Sequence, residues 1–138
     1  MTPELLEALL HWSAAALARE PDIVLEDFGS AYLRRWELPG SSPGHHIYLH
    51  EIVRSEHPDA MHGHPWPNAS IVLAGRYIEH TPERAFIRSA GDVVYRAPGD
   101  THRMEVNPGE TCTTLFLTGD WVEVWAEGRH AEIGDFAA

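Results

Sequence analysis

Three histidines in the middle of the chain have residue types and spacing that suit a metal site. His62 and His64 are separated only by Gly63, and His102 follows a Gly-Asp turn, an apolar segment and a Pro-Gly turn. Residues two apart on an extended strand point to the same face, roughly 6.5–7 Å apart along the backbone, so both imidazoles can reach one ion. The alternative is that these are solvated surface side chains, as an isolated His-x-His pair usually is.

The composition predicts a single globular domain spanning residues 1–138, with 43% hydrophobic residues. The net charge is −11, from 21 acidic and 10 basic residues. An excess of negative charge repels nucleic-acid backbones and anionic membranes, so we expect neither as a partner. Cys112 is the single cysteine, which excludes an intrachain disulfide and fits a reducing compartment.

The N-terminus predicts a helix rather than a targeting segment. Thr2 can cap the helix and Pro3 suits its first turn, and the apolar residues that follow have helical spacing up to Pro21. Glu4 and Glu7 interrupt the apolar run, and a basic start is missing, so a signal peptide is not expected. We therefore expect a helix within residues 1–20 that packs on the rest of a cytoplasmic protein.

The chain after the helix predicts a β-barrel over residues 30–127. Apolar and polar residues alternate in short segments bounded by Gly, Pro or Asp, which favours many antiparallel strands. The predicted strands are 31–38, 46–53, 70–73, 76–80, 84–88, 93–96, 103–106, 111–117 and 121–125. Trp121 and Trp125 are assigned to the core or to a dimer interface, and the tail after Gly128 is expected to be loosely ordered.

Two segments of the chain resemble the conserved motifs of the cupin superfamily. His62, His64 and Gly75 match the first motif, and the segment from His64 to Tyr77 is similar to a group of short bacterial cupins. The second motif is matched by Gly91, Gly99 and His102, with Asn107 one residue later than in the motif and Pro98 displaced by one residue. The resemblance covers roughly residues 45–120.

The resemblance implies an all-β double-stranded β-helix, or jelly-roll barrel, with an N-terminal α-helix. Cupins hold a metal at the barrel mouth and are commonly dimers, so we expect a homodimer. The first motif also has a glutamate, but the corresponding position here is Asn68. The resemblance therefore implies a metal site made by His62, His64 and His102, unless a carboxylate from elsewhere, such as Glu51, completes it.

Three neutral imidazoles leave the charge of a divalent ion uncompensated, so the site should favour a small anionic substrate. Three-histidine cupin sites resemble those of thiol dioxygenases and some diketone-cleaving oxygenases, which favours Fe(II). Imidazole also binds Zn, Ni and Co, and Mn remains possible.

Other residues are candidates for the substrate pocket. Only one of Tyr95 and Arg96 can face the interior of their strand, and Tyr95 is assigned as an acid–base or orienting group. His50 is expected inside the barrel as a hydrogen-bonded side chain. The weaker pocket candidates are Asn68, Arg76, Trp66 and His50.

Three functions remain open from the sequence. The first is a mononuclear Fe(II) dioxygenase-type oxidoreductase acting on a small anionic molecule. The second is a metal-dependent isomerase or lyase, in which the ion polarises a carbonyl or carboxylate. The third is a small-molecule-binding module without enzymatic activity.

Overall fold

The computed structural model describes residues 1–120 and the backbone of two short strands at 125–126 and 129–130. Helix α1 spans Pro3–Leu17, and the hydroxyl of Thr2 caps it by accepting a hydrogen bond from the Leu5 amide at 3.1 Å. None of the described helices is both long enough and apolar enough to span a bilayer.

Short strands make up most of the rest of the described chain. In chain order they are β1 (Ile23–Asp27), β2 (Ser30–Glu37), β3 (His46–Ile52), β4 (His62–Gly63), β5 (Asn68–Ala74), β6 (Arg76–His80), β7 (Ala85–Ser89), β8 (Val93–Arg96), β9 (Thr101–Glu105), β10 (Cys112–Thr118), β11 (Trp125–Ala126) and β12 (Arg129–His130).

The strands form two main sheets. One has six strands in the order β1-β2-β3-β10-β5-β8, and the other has four in the order β4-β9-β6-β7; β11 and β12 pair with each other. Every pairing among the described strands is antiparallel. The predicted all-β jelly roll with an N-terminal helix is confirmed.

Apolar side chains cover both faces of the six-stranded sheet. On one face the helix packs through Ala16 against a buried cluster that contains Trp36, Leu49 and Leu115. On the other face, a second cluster combines residues of both sheets, among them Leu33 of β2 and Tyr77 of β6. The inner face of the sheet therefore turns toward the four-stranded sheet, and the candidate site lies in this interior.

The strands differ from the predicted ones most clearly at β1 and β9. Strand β1 was not predicted, and its pairing with β2 contains an irregularity between Leu25 and Glu26 that breaks the alternation. Strand β9 begins at Thr101, so His102 lies within a strand rather than in the turn before it. The predicted strand at 121–125 and the tail lie outside the described residues, apart from the backbone of β11 and β12.

Candidate metal centre

The three predicted histidines come together in the barrel interior. The ring centroids of His62 and His102 are 4.9 Å apart, those of His62 and His64 are 5.4 Å apart, and those of His64 and His102 are 6.1 Å apart. One ring nitrogen from each lies within 4.8 Å of the others, and His64 and His102 are buried. The three ring nitrogens are therefore close enough together for the group to hold one ion.

The local backbone brings the two motifs together. Strand β4 pairs with β9 so that His62 lies directly opposite His102. The turn before β9 contains Gly99, which has a φ of +86° and donates its amide to the carbonyl of His64 at 2.8 Å. The carboxylate of Asp100 accepts a hydrogen bond from the Ala97 amide and closes the turn. Pairing of β4 with β9 and this turn thus fix the relative positions of all three histidines.

A buried carboxylate orients His62. Its Nδ1 lies 3.2 Å from Glu56 and 3.0 Å from the carbonyl of Ala60. Both partners are acceptors, so Nδ1 carries the proton and Nε2 keeps a lone pair for an ion. Burial lowers the pKa of His62, but the hydrogen bond to Glu56 and its negative charge outweigh burial and leave the pKa raised.

A second buried carboxylate orients His102. Glu79 accepts hydrogen bonds from Nδ1 of His102 at 2.6 Å, from Arg96 at 2.6 Å and from Arg88 at 2.9 Å. Burial would raise the pKa of Glu79, but the His102 hydrogen bond and the charge of Arg96 hold it well below its usual range. An ionised Glu79 requires the proton on Nδ1 of His102, which again leaves Nε2 available.

His64 differs from the other two because its Nδ1 is buried and has no hydrogen-bond partner among the described residues. Its ring stacks on Trp66 at a centroid distance of 4.3 Å. Burial, followed by the charges of His62 and His102, lowers the pKa of His64 to about 2, so this ring is neutral at physiological pH.

These features fit a divalent transition metal. Neutral imidazole nitrogens are common ligands of Fe, Zn, Ni and Co, and carboxylates behind two of the rings are the usual outer partners of metal-binding histidines. The unpaired Nδ1 of His64 is the kind of buried polar atom that a ligand would satisfy.

The histidines line a cavity of about 20 Å³, enough for one or two waters. Apolar side chains form much of its wall, including Leu33, Met104 and Phe116. Polar side chains of Tyr32 and Thr114 complete part of the lining. A ligand in this space would therefore be small.

The predicted pocket residues divide into those near the histidines and those away from them. His50 lines the cavity and is 6% exposed, and its Nε2 accepts a hydrogen bond from Arg35 at 2.9 Å, as expected for an interior histidine. Trp66 packs beside His64. The amide oxygen of Asn68 accepts a hydrogen bond from Arg96 at 3.1 Å, so this side chain belongs to the buried arginine's network.

Three candidates are placed elsewhere. Tyr95 is 73% exposed and does not line the cavity, so its assignment as an acid–base group has to be corrected. On the same strand, Arg96 is the residue that faces inward, with 5% exposure. Arg76 is exposed at the start of β6, and Glu51 binds Arg34 at 2.8 Å, so neither reaches the cavity.

The sequence did not identify Glu56, Glu79 or Tyr32 as site residues. Alternation along β6 places Tyr77 and Glu79 on one face, and the apolar character of Tyr77 is the signal that could have placed Glu79 inside. For Glu56, which lies outside the strands, no comparable pattern exists.

Comparisons of sequence find no match, whereas comparisons of structure find proteins with a similar fold. No protein family profile and no curated protein matches the chain. A cupin-like protein from Thermotoga maritima is 19% identical, with a TM-score of 0.60, over 75% of this chain and 86% of that one.

Two enzymes are also similar in structure. Fe(II)-HppE, solved with the alternative substrate (S)-1-HPP, is 13% identical, with a TM-score of 0.61, over 73% of this chain and 56% of that one. A sugar phosphate isomerase of the cupin superfamily from Silicibacter pomeroyi is 15% identical, with a TM-score of 0.54, over 64% of this chain and 59% of that one. Identities this low establish a shared fold.

Proposed function

We propose that this chain, which has the cupin fold, binds one divalent metal ion through His62, His64 and His102. We further propose that it is a mononuclear Fe(II) oxidoreductase of the dioxygenase type that acts on a small anionic substrate. The observation that carries the proposal is the convergence of three histidines on one small cavity, two of them held by buried carboxylates.

The charges around the histidines support an anionic substrate. Glu56 and Glu79 contribute two negative charges, and Arg88 and Arg96 contribute two positive charges. These four charges cancel one another, and the charge of the buried Arg35 also acts on His64. The four residues would therefore not offset the charge of a divalent ion, which its ligand would have to balance. Because the cavity wall is largely apolar, that attraction would be weakly screened.

Residues of the chain itself would orient the metal ligands and line the space for the substrate. Bound iron would supply Lewis acidity and a redox centre. Glu56 and Glu79 orient the rings of His62 and His102, and Phe116 forms part of the apolar wall of the cavity. The cavity volume of about 20 Å³ limits the substrate to a few non-hydrogen atoms unless the barrel opens.

The preference for iron rests on the donor set and on one similar structure. Three neutral imidazoles suit Fe(II), although they also suit Zn, Ni and Co. One of the solved structures with this fold is an Fe(II) enzyme with a bound substrate. The second candidate, a metal-dependent isomerase or lyase, is favoured by the similarity to a sugar phosphate isomerase.

Oxygen uptake by the reconstituted protein separates these functions. The protein would be loaded anaerobically with Fe(II) or Zn(II) and assayed against a panel of small carboxylates and thiols. The proposal predicts oxygen uptake with Fe(II) that is lost in His102→Ala and retained in His45→Ala, whose side chain is 59% exposed. Full turnover with Zn(II) in the absence of oxygen would support the isomerase or lyase instead. A protein that binds small anions but turns none over with either metal would be a binding module.

A further inference from the structure

Tyr32 is a buried tyrosine whose hydroxyl lacks a hydrogen bond to any described residue. It lies on β2, is 6% exposed and lines the same cavity as the three histidines. We propose that the Tyr32 hydroxyl donates a hydrogen bond to a small anionic ligand held at the three-histidine centre. This inference rests on the proposed metal binding and adds a ligand-binding residue to it.

The surroundings of Tyr32 place it beside the histidines. The negative charge of Glu56, which holds His62, acts on Tyr32 and, after burial, is the strongest influence that raises its pKa to about 12. Met104 contacts the cluster that contains Tyr32 and also lines the cavity. Tyr32 therefore shares the cavity with His62, the predicted metal ligand that this carboxylate orients.

Tyr77, the other tyrosine that lines the cavity, has a hydroxyl with a hydrogen-bond partner. Tyr77 is also buried, and its hydroxyl accepts a hydrogen bond from Arg96 at 3.1 Å. Buried tyrosine hydroxyls usually find such a partner. Because Tyr32 has none in the described part of the chain, the open space next to it is where the partner belongs.

The cavity volume limits the size of the hydrogen-bond partner of Tyr32, and the pKa of Tyr32 indicates its charge. A volume of about 20 Å³ admits a water or a ligand of a few atoms. With its pKa raised, Tyr32 stays protonated at neutral pH and acts as a donor, which suits a negatively charged oxygen or nitrogen. Azide is a suitable probe because it is a small anion that binds metal ions.

Azide affinity tests the proposal directly. Wild type, Tyr32→Phe and Tyr95→Phe would be loaded with Co(II), their metal content measured, and azide titrated by visible absorption. Loss of a charge-assisted hydrogen bond predicts azide binding about tenfold weaker in Tyr32→Phe. Tyr95→Phe is the matched control, because the same oxygen is removed from a side chain that is 73% exposed, and it should bind azide as wild type does.

Thermal unfolding of the metal-free proteins provides a second readout. If the hydroxyl has no protein partner, Tyr32→Phe unfolds at the wild-type temperature or above it. A Tm lower by several degrees, or azide affinity equal to wild type in a variant with full metal content, would overturn the inference while leaving metal binding intact. A wild-type protein that takes up no metal would instead remove the proposed function and this inference together.

Discussion

Glu79 illustrates how a single buried carboxylate can support a metal site without being one of its ligands. Its two oxygens accept hydrogen bonds from His102, Arg96 and Arg88, and its side chain is 2% exposed. A carboxylate with three donors has little capacity left to bind an ion directly. Its role is therefore to fix the ring orientation and the tautomer of His102.

Glu79→Gln should weaken metal binding and also destabilise the protein. The glutamine amide has one acceptor oxygen in place of two, and its NH₂ group would face the N–H groups that now donate to Glu79. We therefore expect metal affinity to fall by about 10–100-fold. Leaving the arginine charges unpaired should cost about 3–5 kcal/mol of unfolding free energy. Chelator competition and urea denaturation measure the two effects.

Glu105→Gln is the matched control for this prediction. Glu105 also contacts a histidine, His80 at 2.7 Å, but its side chain is 40% exposed. An exposed pair contributes at most about 1 kcal/mol, so metal affinity should not change. Equal effects of the two substitutions would contradict the role given to Glu79.

Cys112 should be unreactive in the folded protein. Its side chain is 0% exposed in the core, and burial raises the pKa of its thiol to about 12. The unfolded thiol ionises near pH 9. The contribution of the Cys112 thiol to the free energy of unfolding is therefore fully present below pH 9. This contribution is lost as the pH rises from 9 toward 12.

The reactivity of Cys112 can be measured with Ellman's reagent at pH 8. Native protein should show no rapid reaction, and one thiol per chain should react after addition of guanidinium, since the sequence has one cysteine. Rapid labelling of the native protein would contradict the placement of Cys112 in the core.

Among individual residues, the clustering of the three histidines could be predicted and the inward arginine could not. The spacing of His62, His64 and His102 matched known motifs, whereas arginine is rarely buried and Tyr95 was the more ordinary interior residue. The structure buries Arg96 because its guanidinium has acceptors in Glu79, Asn68, Ser70 and Tyr77. Such partners come from distant strands, so no local pattern reveals them.

At the scale of elements, the β5–β6 turn shows why the first motif ends in glycine. Gly75 has a φ of +77°, and a Cβ at this position would lie 2.4 Å from the carbonyl oxygen of Thr111. The missing side chain lets the turn approach the start of β10. Close approach of β10 in turn allows it to pair with β5 within the six-stranded sheet.

Gly75→Ala should therefore lower the free energy of unfolding by more than the strain of a left-handed backbone at alanine alone. The left-handed conformation costs about 1–2 kcal/mol for alanine, and the clash should raise the loss to about 3 kcal/mol or more. Gly109→Ala is the control, because Gly109 has a φ of +78° but no atom within 4 Å of the added Cβ. Urea denaturation should give a clearly lower free energy of unfolding for Gly75→Ala than for Gly109→Ala. Equal losses of unfolding free energy in the two variants would mean that the β5–β6 turn can shift to accommodate the added Cβ.

The strands themselves were predictable wherever side chains alternate against one buried face. One strand that was not predicted, β1, has mostly exposed or half-buried side chains because it lies at the edge of its sheet. An edge strand with this exposure lacks the regular apolar face on which the sequence pattern depends. Its pairing with β2 is set locally by the two-residue turn at Phe28 and Gly29, in which both residues have a positive φ.

At the scale of the whole molecule, the homodimer remains a prediction. The edge strand β1 exposes Ile23 at 48% and Val24 at 45%, and none of the described strands pairs with its outer edge, so this edge could pair with another chain. Sedimentation equilibrium should give twice the chain mass of 15.5 kDa. A single-chain mass at micromolar concentration would contradict the prediction, and a shift to monomer in Val24→Lys would locate the interface at β1.

The barrel as a whole serves to bring two distant segments of the chain to one point. His62 and His102 are opposite each other only because β4 pairs with β9, and Gly99 binds the backbone of His64. A metal that binds the folded but not the unfolded chain should raise stability by about 2.7 kcal/mol at a hundredfold excess over its Kd. Folding and metal binding should therefore be coupled.

Metal stoichiometry tests the central claim most directly. Protein stripped with a chelator would be titrated with Fe(II) or Co(II) under anaerobic conditions, and bound metal would be counted by elemental analysis after gel filtration. We predict one ion per chain in wild type and in His45→Ala, and loss of that ion in His62→Ala, His64→Ala and His102→Ala. Full metal content in all three variants, or no bound metal in a folded wild-type protein, would contradict the three-histidine centre.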